Sequence, residues 1–170
     1  MTPEQFQQVY PVLSVWIRDL LELFRERAHP VASVRFGKLS HYYSADFLER
    51  AKFVVVPRIP IPPLSRMGIS QFGALETADF GGAAYLDTFF VKQGQETEPL
   101  FFHELVHVVQ WAELGPERFL SAYADGLEKY GYAESPLEVM AYKAQWRFEA
   151  DDEYFDVVKF VKGEIANLTM

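Results

Sequence analysis

Apolar residues recur at three- and four-residue intervals near the start of the chain, at Phe6, Val9, Tyr10, Leu13, Ile17, Leu20, Leu21 and Phe24. That period marks one face of an amphipathic helix, here predicted from Pro3 to about Ala28. Thr2 is a candidate N-cap, Pro3 suits the first turn, and the His29–Pro30 pair supplies the stop. Pro11 stands against an unbroken helix, because an interior proline removes a hydrogen bond and kinks or divides it. From Val31 to Gln93 the pattern changes. VASVRFGKL, KFVVVPRI and GAAYLDTFFVKQ are rich in β-branched and aromatic residues and predict three or four strands. Among them, VPRIPIPPLSRMG carries Pro57, Pro60, Pro62 and Pro63. Such a run prefers extended polyproline and cannot form a central strand. It reads as a stiff surface loop, with a polyproline recognition site for a partner as the alternative.

Helical spacing returns from Glu96 to Met170. Pro99 opens a helix that Gly115 closes, with Glu96 and Glu98 at its positive end. Pro116 starts a second helix, through Tyr130 and ended by Gly131. A third runs from Ser135–Pro136 toward Glu149, and DEYFDVVKFVKGEIANL forms a last segment. No repeat or linker divides the 170 residues, which predict a single domain over 1–170. The fold class is α+β: an N-terminal helix, a small mixed or antiparallel sheet, and a helical C-terminal half.

Composition narrows the partners. The chain has 16 basic and 24 acidic residues, a net charge of −8 and a pI near 5.0. That balance argues against nucleic acid and anionic membranes as partners. The start, MTPEQFQQVY, has no basic region followed by an apolar one, and FVVV is broken by Pro57 and Arg58. A cytoplasmic protein is the default, with signal-less export left open. Oligomeric state is not legible. There is no cysteine, so a metal site would use His, Asp, Glu or water.

The candidate chemistry lies in HELVH, His103 to His107. Positions i and i+4 share a helix face, so both imidazoles can reach one zinc ion at roughly 2.0–2.1 Å. Glu104 is then placed to take a proton from an activated water. From Leu100 to Val109 the chain is uncharged apart from these residues and holds no Gly or Pro, so the motif belongs in a buried helix. Two histidines and a glutamate are costly there without partners. A third ligand is required. Glu113 fails on geometry, lying about 240° around the helix from His107. Glu134 and Glu138, in YAESPLEVMAYKAQ, are the better candidates. Glu138 also completes a capping box with Ser135, which competes for the same carboxylate. Gln110, three residues past His107, faces the site to hold a ring or a substrate amide, and Trp111 reads as core.

With Glu138 opening an E-x-x-A-Y run, the chain resembles the HExxH…E zincins, or gluzincins, whose third ligand is a glutamate on a later helix. HELVHVVQW followed by GYAESPLEVMAY narrows the likeness to small bacterial metallopeptidase-like domains carrying HELxHVxQ, some of which accompany secreted contractile machines. The likeness spans GAAYLDTFFV to Gln145 and leaves out the N-terminal helix and the proline loop. It implies a minimal zincin-like fold, zinc (Zn2+) on His103, His107 and Glu138 with Glu134 as runner-up ligand, and Glu104 as general base in hydrolysis of a peptide or protein substrate. It also implies that substrate adds as a strand along a sheet edge, here AAYLDTFFV. Tyr142 stands where these families often carry an acidic or amide residue beside a ligand. Tyr123, Tyr130, Tyr132, Tyr142 and His41 are candidate oxyanion donors. Two other readings remain: a metal-binding but inactive module acting in interaction, regulation or a secretion-linked assembly, and a structural domain in which HELVH is a coincidence.

Overall fold

A computed structural model describes residues 1–150 and 154–168. Helix α1 (Pro3–Phe24) begins with a capping box between Thr2 and Gln5. It runs through Pro11 without dividing, and ends in a short 3-10 turn at Arg25–Arg27. The packing of Phe6, Val9, Leu13, Ile17 and Leu20 along one face holds the helix across the proline. One lost hydrogen bond is small beside that buried stripe.

Four strands follow: β1 (His29–Pro30), β2 (Lys52–Val56), β3 (Gly82–Tyr85) and β4 (Thr88–Lys92), in the order β1-β2-β4-β3. β2 and β4 run parallel, while both edge pairs are antiparallel. On β4, Phe89, Phe90 and Val91 have no exposed surface. Phe90 meets Phe24 of α1 at 5.2 Å, and Phe89 meets Phe101 of the motif helix at 5.0 Å. A strand covered on both faces needs a continuous apolar run, which is why TFFVK does not alternate.

The expected strand VASVRFGKL does not form. Val31–Ser33 is a 3-10 turn, and α2 (Leu39–Tyr42) then leads to α3 (Ala45–Arg50), capped by Ser44. The amides of Lys38 and Leu39 bond instead to the Glu98 carboxylate, at 2.6 and 3.0 Å, so tertiary contact overrides β propensity. GAAYLDTFFVKQ is likewise not one strand but the β3–β4 hairpin, turning where Leu86 adopts φ 59°. β1 forms one sheet edge, and of this segment only β3 lies at the other. Its register directs the backbone groups of Gly82 and Ala84 away from β4, and Trp111 Nε1 already donates to Ala84 O at 3.0 Å.

The proline-rich segment is no simple surface loop. Ile59 joins the main core, while Leu64, with Ile69 and Phe72 beyond it, forms a second apolar cluster against Val9 and Leu13 of α1. Tyr85 Oη donates to Pro60 O at 2.7 Å and ties the segment to β3.

The helical half consists of α4 (Glu98–Tyr130), α5 (Pro136–Glu149) and α6 (Val157–Asn167). The start predicted for the last segment, at 152–153, lies outside the described residues. α4 is two helices joined at Gly115, whose φ of 73° is open to glycine and strained for other residues. Ala141 and Ala144, both fully buried, face the core, and Phe148 stacks on Phe102 at 4.3 Å. Among the described residues no helix is long and apolar enough to cross a membrane.

Candidate metal centre

Every residue from Phe101 to Trp111 is buried, so the apolar run around HELVH forms the central helix of the core. On it His103 and His107 stand one turn apart, their Nε2 atoms separated by 3.1 Å. α5 brings Glu138 opposite them, with Oε2 at 3.5 Å from each Nε2. These three side chains are together and buried, and they could hold a metal ion. Glu134 is exposed and outside the group, which removes it as a ligand. Glu113 pairs with Lys162 at 3.4 Å, away from the centre.

The capping box is not made. Ser135 sits at the N-cap of α5, but its hydroxyl is buried without a partner and caps nothing. Glu138 turns to the histidines instead: Oε1 accepts from Tyr123 Oη at 2.7 Å, while Oε2 is buried with no hydrogen bond.

The outer nitrogens of both rings are fixed by glutamines. Gln110 Nε2 donates to Leu137 O at 2.9 Å, so its oxygen faces His107 Nδ1 at 2.8 Å. Gln145 Nε2 donates to Glu149 Oε1 at 3.0 Å, so its oxygen faces His103 Nδ1 at 3.0 Å. An amide oxygen only accepts; both histidines therefore carry hydrogen on Nδ1. When neutral, both present bare Nε2 lone pairs to each other and to an anionic oxygen. Such a set is unstable alone and complete with a cation. Gln110 thus plays the ring-holding role its spacing predicts. Gln145 was missed, although it lies seven residues, two turns, beyond Glu138 on the same face of α5. Tyr142 does not replace a carboxylate contact; its ring packs on His103 at 4.6 Å.

Burial and charge compete here. For His107, burial opposes protonation, but the charge and hydrogen bonding of Glu138 outweigh it and push the pKa up to about 9. Burial dominates at His103 and lowers its pKa. Burial would raise Glu138, but the two histidines hold it well below the usual carboxylate range. One proton therefore sits on His107, where it stands in for a cation. Glu104 is 3% exposed and its Oε2 has no partner. Burial raises its pKa to about 8 despite the opposing charge of His107. Its carboxylate lies against Gly82 of β3, where an added methyl would come within 2.8 Å of the Glu104 carboxyl carbon.

A cavity of about 150 Å³ ends at Glu104, His107 and Glu138. Of the candidate oxyanion donors, Tyr132 and Tyr123 line this cavity. Tyr130 is exposed, and His41 bonds to Tyr154 at 2.9 Å elsewhere. Trp111 belongs to the core, stacked on Phe119 at 3.9 Å, and its other edge borders the cavity. No protein family matches the chain, and no curated protein or solved structure matches it either.

Proposed function

We propose that this protein is a zinc-dependent peptidase of the HExxH…E type, with His103, His107 and Glu138 as ligands and Glu104 as general base. One observation carries the reading: two imidazole Nε2 atoms and a carboxylate oxygen without a hydrogen bond converge inside the core. A tetrahedral ion with bonds of roughly 2.0–2.1 Å spaces its ligands about 3.3–3.4 Å apart. The separations of 3.1, 3.5 and 3.5 Å bracket that value. Nitrogen and oxygen ligands without sulfur suit zinc.

Zinc bound there would polarise a substrate carbonyl and bring the pKa of a water toward neutrality. Glu104, buried and with an unpaired oxygen, would in its ionised form take a proton from a water at the site and return it to the leaving amine. Gln110 and Gln145 keep both rings aimed, and Tyr123 orients Glu138. The Tyr132 hydroxyl, at the same end of the cavity, is the donor for charge developing on the carbonyl oxygen.

The near-complete burial of the four groups favours a second reading, a metal-binding module without activity. Two measurements separate them. Zinc content by mass spectrometry should be near one per chain and should fall in His103→Ala, His107→Ala and Glu138→Ala. A Glu138→Ala protein with full zinc would remove the third ligand. Cleavage of a casein or peptide library should vanish in Glu104→Gln with zinc retained; a native protein that cleaves nothing leaves the inactive module standing.

A further inference from the structure

The apolar interior is divided. The main core surrounds the sheet and the motif helix, while Val9, Leu13, Leu64, Ile69 and Phe72 form a separate cluster under the proline-rich segment. The cavity of about 150 Å³ lies between them, with Leu64, Ile69, Phe72 and Leu75 on one side and Phe119 and Leu120 on another. Its ionisable end is the metal centre. Among the described residues no Lys, Arg or Asp lines it. A void of this size between two clusters costs stability that closer packing would recover.

We infer that this cavity is the specificity pocket of the site, receiving one large apolar side chain, of leucine to phenylalanine size, from a residue flanking the bond to be cut. The inference rests on the peptidase reading for the word substrate, but on the cavity alone for the binding of an apolar group. An apolar pocket of about 150 Å³ has the volume to take a guest the size of benzene. A branched or aromatic side chain fits that space and a long acyl chain does not. A charged side chain would lose its hydration against walls that offer no side-chain counter-charge away from the metal centre, the Met1 ammonium being paired with Glu128. The pocket is walled by α1, the segment after Pro57, β3 and the second half of α4, so these parts decide which substrate is accepted, while the first half of α4 and α5 carry the chemistry.

Ala124, half-buried on the cavity wall, allows a test. Benzene binding to the zinc-loaded and metal-free proteins, followed by NMR titration, should be saturable in both and abolished in Ala124→Phe. Ala124→Leu serves as the milder filling variant; thermal unfolding and zinc content confirm that each variant is folded. Capped hexapeptides differing at one position should then be cleaved with kcat/KM at least about tenfold higher for Leu or Phe than for Ala or Asp. Leu75→Ala, which enlarges the cavity, should shift the preference toward Trp. Saturable benzene binding with matching peptide affinities but no cleavage would support the pocket and sink the peptidase reading. Cleavage indifferent to side-chain size and unchanged in Ala124→Leu would overturn the pocket and leave that reading intact. Absence of benzene binding to a folded protein, or preference for an N-palmitoyl peptide over the Leu and Phe peptides, would also overturn it.

Discussion

Replacing Gln110 by leucine removes a side chain with no exposed surface that serves three partners, His107 Nδ1 at 2.8 Å, Leu137 O at 2.9 Å and Met140 Sδ at 3.3 Å. Leucine fills similar space, so the main loss is polar: the His107 ring N–H is left buried and unpaired, and the Leu137 carbonyl, still bonded within α5, loses its second donor. The unpaired N–H costs about 1–3 kcal/mol and the lost bond about 0.5–1.5 kcal/mol, so the metal-free protein should lose about 1.5–4.5 kcal/mol in urea unfolding. Against a total of about 5–15 kcal/mol, that is a large fraction. The same change frees the His107 ring, and zinc affinity by chelator competition should fall about 10- to 100-fold. Gln110→Glu separates the two effects. Its carboxylate still accepts from Nδ1 but cannot donate to Leu137 O, so it should hold zinc better than the leucine variant while remaining destabilised. A Gln110→Leu protein within about 0.5 kcal/mol of the native stability, with unchanged zinc affinity, would refute the argument that fixes the rings.

Zinc affinity should depend on pH with a definite sign. Because the His107 pKa is raised to about 9 in the metal-free fold, a cation must displace a proton below that pH. Affinity should therefore rise about tenfold per pH unit from roughly pH 7 to 9 and level off above; calorimetry in buffers of different ionisation enthalpy counts the released proton, and a flat profile contradicts the assignment. Gly82→Ala should displace the Glu104 carboxylate, costing about 1–3 kcal/mol in stability and most of the cleavage rate while zinc content stays unchanged. Full activity in that variant would mean that Glu104 is not held where β3 puts it. Glu98→Ala strips the Lys38 and Leu39 amides of their acceptor and should lower the urea midpoint by the equivalent of about 2–4 kcal/mol. An unchanged midpoint would show that those two bonds do not hold the α1–α2 side of the core to α4.

The helices were legible because their apolar stripes repeat over many turns and because Pro99, Gly115, Pro116 and Gly131 punctuate them. The residues of β2 and β4 were legible for a different reason, their β-branched and aromatic runs. Short segments were not: the turn after Val31 and helices α2 and α3 hold too few residues to carry a period. Ser44, which caps α3 through Phe47 N at 3.2 Å, was the one local signal there. Pro11 reads as kinking or dividing the helix, and it does not divide it, since packing of one helix face against distant residues decides that outcome.

The sequence by itself determined the chemical inventory: two imidazoles and a carboxylate on one buried helix, no thiol, and an acid on a later helix. It could not decide what Glu138 does, because a capping box and a metal ligand use the same residue at the same position. Tertiary structure decided against the capping box, by packing α5 against α4 so that Ser135 caps nothing and Glu138 Oε2 lies 3.5 Å from both Nε2 atoms. Nor could the sequence place the proline-rich segment over the site or create a cavity there. Periodicity records which face of an element is apolar, while a ligand set and a cavity exist only between elements, where distances are set by how whole faces pack.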